Sequence, residues 1–241
     1  MANFINKLTG KIFKDKFRPR IYRPLPDAYY DIFKQFGEGL YYVTIKSSNN
    51  NIVSKAISYV TILFTKKEDL KLAISHCATI LYSEHLENWF SEEDWKIVKS
   101  CWNNYYGNSK QLDSSIKTLV LSSADDNGMN YFDFSQYCLR RFCLRKPSIG
   151  EVRQFKVIQF LVSLSPKLYD YTGLVFWWLY KFCSFFNFLQ DKESYTCSET
   201  IYNAFISVDF KTAEKENPSP LDLENYNQQY RIYNTPGFFN E

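Results

Sequence analysis

The stretch Thr196-Cys197-Ser198-Glu199 constrains the fold more than any other part of the chain, because it fixes where a helix begins. A threonine oxygen at an N-cap accepts from the amide three residues on, and a glutamate there reaches back to the cap's own amide. That spacing puts Cys197 at the first helical position. Ile201, Ala204, Phe205 and Val208 then recur at helical intervals, so the helix carries an apolar face to bury. A thiol at the positive end of a helix dipole ionises more readily, and an adjacent imidazolium favours the thiolate further. The sequence has two histidines, His76 and His85, that can supply the imidazole.

A chain of 241 residues, 45% of them hydrophobic, can bury one substantial core, and one domain with decorations is expected. The net charge of +3 is too small to indicate a nucleic-acid partner. Its distribution is uneven: Lys7, Lys11, Lys14, Lys16, Arg18, Arg20 and Arg23 face the single acid Asp15 in the first part of the chain. This basic arm suits phosphates, anionic lipid or an acidic partner, or stays a solvated tail. No signal peptide is expected, since the N-terminus lacks an unbroken apolar stretch and a small-residue cleavage site; a cytoplasmic or virion-associated location is the expectation. The six cysteines, Cys77, Cys101, Cys138, Cys143, Cys183 and Cys197, form no C-x-x-C pair, and no metal or other cofactor is indicated. Several sit in apolar runs, which favours buried thiols in a reducing compartment over an extracellular disulfide set.

Residues 1–35 read as the basic arm or a short lead-in helix, 36–226 as the folded domain, and 227–241 as a polar tail. Leu40–Lys46 is β-branched and aromatic, and Ala73–Tyr82 has the same character; both read as strands, with His76 inside the second. Ile52–Phe64 fits a helix whose end could be extended. Residues 84–106 carry Leu86, Trp89, Phe90, Trp95, Val98 and Trp102 among charges, which predicts helices inserted between strands. Lys117–Ser123 reads as a third strand, closed by the turn signal Asp125-Asp126-Asn127-Gly128. Phe134–Leu144 reads as a short helix, and Ile149–Leu164 as a strand or helix. Leu168–Leu189 is apolar and aromatic enough to mimic a membrane span, but Asp170, Gly173 and Lys181 interrupt it, so a buried or groove-lining helix is expected. Beyond Phe210 the chain turns polar and reads as a closing loop. No internal repeat, Gly-rich phosphate loop or dinucleotide fingerprint is present.

Four stretches, in this order, resemble the circularly permuted branch of the NlpC-type papain-fold peptidases. Ile52–Thr61 followed by Ser75-His76-Cys77-Ala78 is similar to the family's first helix and its Ser-His-hydrophobic strand. Val120-Leu121-Ser122-Ser123-Ala124, with Gly128 soon after, is similar to the next strand, which normally ends in Glu-Ala. Tyr169-Asp170-Tyr171-Thr172-Gly173-Leu174 matches a Tyr-Asp-aromatic-x-Gly helix start. Tyr195–Glu199 and Ser219-Pro220-Leu221-Asp222-Leu223 resemble the Cys-Ser-Glu helix start and the late Ser-Pro-x-Asp-Leu loop. The resemblance spans about residues 40–225. It implies an α+β, papain-like permuted core in which a small antiparallel sheet packs against helices, with the helical insertion near 84–106.

The resemblance also assigns roles. Cys197 becomes the nucleophile and His76 the base that later acts as acid. The family's third polar residue falls on Ser123, where a glutamate is usual; serine can accept from an imidazole but cannot balance an imidazolium as a carboxylate does. Asp125 is the nearby alternative if the register slips. Glu199 is accounted for by the capping box, His85 by a surface position among Glu84 and Glu87, and Asp170 by helix capping. Tyr195 either borders an oxyanion site, whose main donor would be the Cys197 amide, or simply packs. The implied activity is thiol-dependent hydrolysis of an amide, with peptidoglycan peptides as substrate. The alternatives are a weak or inactive papain-like module of a phage particle or other assembly, and a lipid acyl hydrolase or transferase.

Overall fold

Short runs of aromatic and β-branched residues in this chain pair into one sheet in the computed structural model. The structure describes residues 21–46, 74–125, 128–165, 196–214, 216 and 218–239. Six strands, β1 (Gly39–Lys46), β2 (Ile74–Tyr82), β3 (Thr118–Asp125), β4 (Gly128–Phe132), β5 (Phe142–Arg145) and β6 (Arg231–Asn234), lie in the order β4-β3-β2-β1-β5-β6. Every neighbouring pair is antiparallel. Among the described residues five α-helices accompany them: α1 (Asp27–Phe36), α2 (Glu92–Tyr106), α3 (Glu151–Ser163), α4 (Cys197–Ile206) and α5 (Pro220–Asn225). The architecture is α+β, a small antiparallel sheet with helices packed on it.

β1 is buried along its whole length, which is why Leu40–Val43 reads as a continuous apolar run and not as an alternation. Tyr41, Val43 and Ile45 share one face with Ile80, Ala78 and His76, their partners on β2. Phe33 of α1 covers that face, its ring 5.1 Å from Tyr41, 5.2 Å from Tyr82 and 5.4 Å from Phe134. Tyr42 and Thr44 point the other way, with Thr79 and Cys77. There Phe205 of α4 meets Tyr42 at 6.0 Å, and Glu224 of α5 meets Thr44. Gly39 opens β1 at φ +123°, and an added Cβ would stand 2.4 Å from the Gln154 side-chain oxygen of α3, which accepts from the Leu40 amide at 2.7 Å.

The first three strands and the helices of 84–106 fall where the sequence predicts them, and β3 pairs with β4 through Asp125 and Gly128, the ends of the predicted turn signal; residues 84–106 form a 3₁₀ turn (Leu86–Trp89) and α2, capped by Ser91. Residues 149–164 resolve to the helix α3. Two expectations are corrected. Only Phe134–Tyr137 of the expected helix is helical, as a 3₁₀ turn, and Phe142–Arg145 is instead strand β5, held by its ladder to β1. A run of three apolar residues, Phe142–Leu144, has no period that tells strand from helix. The segment expected to be a loop and polar tail contains α5 and strand β6. β6 is a half-exposed edge, so its sequence lacks a hydrophobic stripe and its pairing with β5 is set by tertiary contact. The helix expected at Ile52–Phe64, the apolar run Leu168–Leu189 and the basic residues up to Arg20 lie outside the described residues. No helix among those described is long and apolar enough to cross a membrane.

A buried ion cluster ties α5 to the sheet. Arg145 and Glu224 are both removed from solvent, with Nη2 to Oε1 at 2.5 Å and Nη1 to Oε2 at 2.9 Å. Arg145 also donates to the Glu224 carbonyl at 2.9 Å and to Thr44 Oγ1 at 3.2 Å, while Arg231 of β6 reaches Oε1 at 3.2 Å. Removing one member strands the other charge in low dielectric. Glu224→Ala is therefore expected to lower the unfolding free energy by about 3–5 kcal/mol in urea denaturation, and Arg145→Met with Glu224→Leu by much less. Equal losses for the two variants would show that the ion pair is not what anchors α5.

Candidate active site

α4 begins as the local sequence dictates. Thr196 is extended (φ −78°, ψ 167°), its Oγ1 accepts from the Glu199 amide at 3.4 Å, and Glu199 Oε2 accepts from the Thr196 amide at 2.9 Å, so both halves of the capping box form. Ile201, Ala204, Phe205 and Val208 are buried as their spacing predicts. Cys197 is thus the first helical residue, and its own N–H is among the first-turn amides that a helix cannot satisfy internally.

The facing wall is β2. Its register against β1 shifts beside the site, from Ile45 opposite His76 to Lys46 opposite Ile74, so Ser75 is an extra residue just before the histidine. Such bulges bend a strand and re-aim its side chains. His76 and Cys77 belong to opposite faces of the sheet, yet both reach one sulfur. The ladder between β2 and β3 runs from Tyr82 opposite Thr118 to Thr79 opposite Leu121. Cys77 lies just beyond it, and both its thiol and its backbone hydrogen-bond with the Cys197 sulfur.

Cys197 is buried, and its thiol is held well below the ordinary range chiefly by the hydrogen bond from the Cys77 thiol. Burial opposes this, while the charge and hydrogen bond of His76 and the backbone of Cys77 add to it. Cys77 moves the opposite way, pushed well above the ordinary range by burial and by its bond to Cys197. One thiol becomes the donor and the other the thiolate. Burial raises the half-buried Glu199 carboxyl, against its hydrogen bonds from Thr196.

On the far side of the imidazole, His76 Nε2 lies 2.9 Å from the Tyr137 hydroxyl, the rings 5.9 Å apart and nearly edge to face. Tyr137 ends the 3₁₀ turn after β4 and is buried, with edge contacts to Phe132 at 5.4 Å and Phe134 at 6.1 Å. The turn starts from Asp133, which is fully buried. Its carboxylate accepts from the Ser135 amide and from the Thr118 hydroxyl, each at 2.8 Å, and its amide donates to Tyr106 Oη at 3.1 Å.

The structure therefore brings Cys197 and His76 together. Ser123 is placed on β3 opposite Met129, and its side chain, like that of Asp125, lies outside the described residues. His85 is exposed, 3.8 Å from Glu87. Tyr195 and Asp170 lie outside the described residues. Cys77 and Tyr137 are the site residues that sequence reasoning passed over: the first read as an ordinary buried thiol, the second fell within the expected short helix. The five described cysteines are free thiols, and among the described residues no cluster of His, Cys, Asp or Glu could hold a metal ion. A scan against protein-family models finds no match, and neither does a search of curated proteins.

Iodoacetamide alkylation followed by peptide mapping reads this electrostatics directly. Since the Cys197 thiol is lowered, its labelling should persist to pH values well below the midpoint of an ordinary thiol, about 8.5. Cys77→Ala removes the largest stabilising partner and should move the midpoint upward. An unchanged midpoint in this variant would show that the second thiol is mere packing.

Proposed function

We propose that this chain is a thiol-dependent hydrolase of amide bonds with a permuted, NlpC-type papain-like core. The observation that carries the reading is one sulfur at a helix N-terminus, within hydrogen-bonding reach of an imidazole on a neighbouring strand and held toward the thiolate. The Cys197 thiolate attacks the carbonyl carbon, and the C=O electron pair moves to oxygen, facing the Cys197 amide. As the tetrahedral intermediate collapses, the C–N bond breaks and His76 gives its proton to the leaving amine. Water then attacks the thioester with His76 as base, the C–S bond breaks, and a carboxylic acid leaves.

Peptidoglycan stem peptides are the substrate class that the resemblance favours. The apolar and aromatic composition of Leu168–Leu189 also suits an acyl group, so esters and thioesters of fatty acids belong in the same substrate panel.

Turnover of stem-peptide amides, and covalent labelling by a thiol-directed electrophile, should vanish in Cys197→Ala. His76→Ala should lower kcat by about 10²- to 10⁴-fold, the usual size of general acid–base assistance. If labelling and turnover persist in Cys197→Ala the hydrolase reading is wrong; if the wild type labels elsewhere and turns nothing over, the chain is better read as an inactive module of an assembly.

A further inference from the structure

We propose that Tyr137 is the positioning residue of this site, its phenol oxygen accepting the Nε2 proton of His76 and turning Nδ1 toward the Cys197 sulfur. The inference rests on the Cys197–His76 reading above. A base that must serve a thiol has to present one nitrogen in a fixed plane, and the second nitrogen decides tautomer and tilt through its partner. The partner here is the Tyr137 hydroxyl at 2.9 Å, contributed from the turn after β4.

Two features make this contact more than core packing. The phenol is fixed at both ends: Phe132 and Phe134 hold the ring by its edges, and the turn behind it is locked by the buried Asp133 through Ser135 and Thr118. The imidazole, in turn, lies next to the Ser75 bulge, where the strand alone does not set its direction. A rigid hydroxyl therefore completes the orientation that the strand leaves open. Being neutral, a phenol orients an imidazolium without balancing its charge, and the anion draws on the donors at the sulfur, the Cys77 thiol and backbone.

Tyr137→Phe deletes the hydroxyl and keeps the ring contacts, so its thermal midpoint should stay near that of the wild type. Among the described residues the groups facing the pair are Cys77 from β2, Glu199 from α4 and Tyr137 itself, with Asp133 behind the turn; only the phenol is altered by this variant. The pH midpoint for iodoacetamide alkylation of Cys197 is expected to rise by about one to two pH units, and the rate at pH 6 to fall about 10- to 100-fold, the size of a hydrogen bond to a charged group. A wild-type midpoint in folded Tyr137→Phe overturns the proposal while leaving the Cys–His pair intact. An ordinary thiol midpoint in the wild type overturns the pair, and the proposal with it. Independently of any variant, ¹⁵N spectra of the wild-type His76 ring should show Nε2 protonated across the working pH range. An unprotonated Nε2 sinks the assignment.

Discussion

A thiolate in a protein interior persists only when donors replace the water it gives up, and the elements around Cys197 are arranged to meet that demand. The capping box ends the extended approach at Thr196 and makes Cys197 the first helical residue. The ladder between β2 and β3 runs no further than Thr79 and Leu121, and just beyond it Cys77 offers both thiol and backbone. The Ser75 bulge then brings His76 to the same point from the other face of the sheet. The Cys77 thiol bond is the largest of these influences, ahead of the desolvation of the buried sulfur, and His76 and the Cys77 backbone add to it.

Among the described residues, the group at His76 Nε2 is a phenol and not the carboxylate of a Cys-His-carboxylate relay. A carboxylate behind the imidazole stabilises the cation and raises its basicity. The imidazole here has a neutral hydroxyl at Nε2, so the favourable electrostatics sit at the anion. Among the described residues, two carboxylates around the Cys197–His76 pair are used structurally: Glu199 caps α4, and Asp133 pins the turn that carries Tyr137. Burial raises both of these carboxyl groups, which disfavours negative charge close to the thiolate.

How much of this was legible in the sequence follows from the range of the interactions involved. The capping box is local, both of its hydrogen bonds joining residues three apart, and the sequence states it outright. The strands β1, β2 and β3 and the turn after Asp125 are equally visible, since their residues carry the propensity themselves. That His76 meets Cys197 came from the order of motifs, because residues more than a hundred positions apart leave no periodic trace. Strands β5 and β6 are short and owe their conformation to their neighbours, so Phe142–Leu144 reads as the end of a helix and Arg231–Asn234 as tail. Tyr137 was hidden for the same reason. Its position depends on a turn pinned by Asp133 to Thr118, and that pin exists only once β3 and β4 have paired.

The buried ion cluster and the thiol site meet on one pair of residues. Thr44 of β1 stands opposite Cys77 of β2, and the Thr44 hydroxyl donates to Glu224 while the Cys77 thiol serves Cys197. A shift of β1 by one residue would move Thr44 to the α1 face, leaving the buried Glu224 carboxylate short of a donor. The same shift would change what stands opposite Cys77 and would move the bulge that aims His76. Register errors around the site are thus penalised by the cluster that holds α5 in place. This gives a physical reason for keeping a buried ion pair that, as a source of stability alone, apolar residues of the same volume would match.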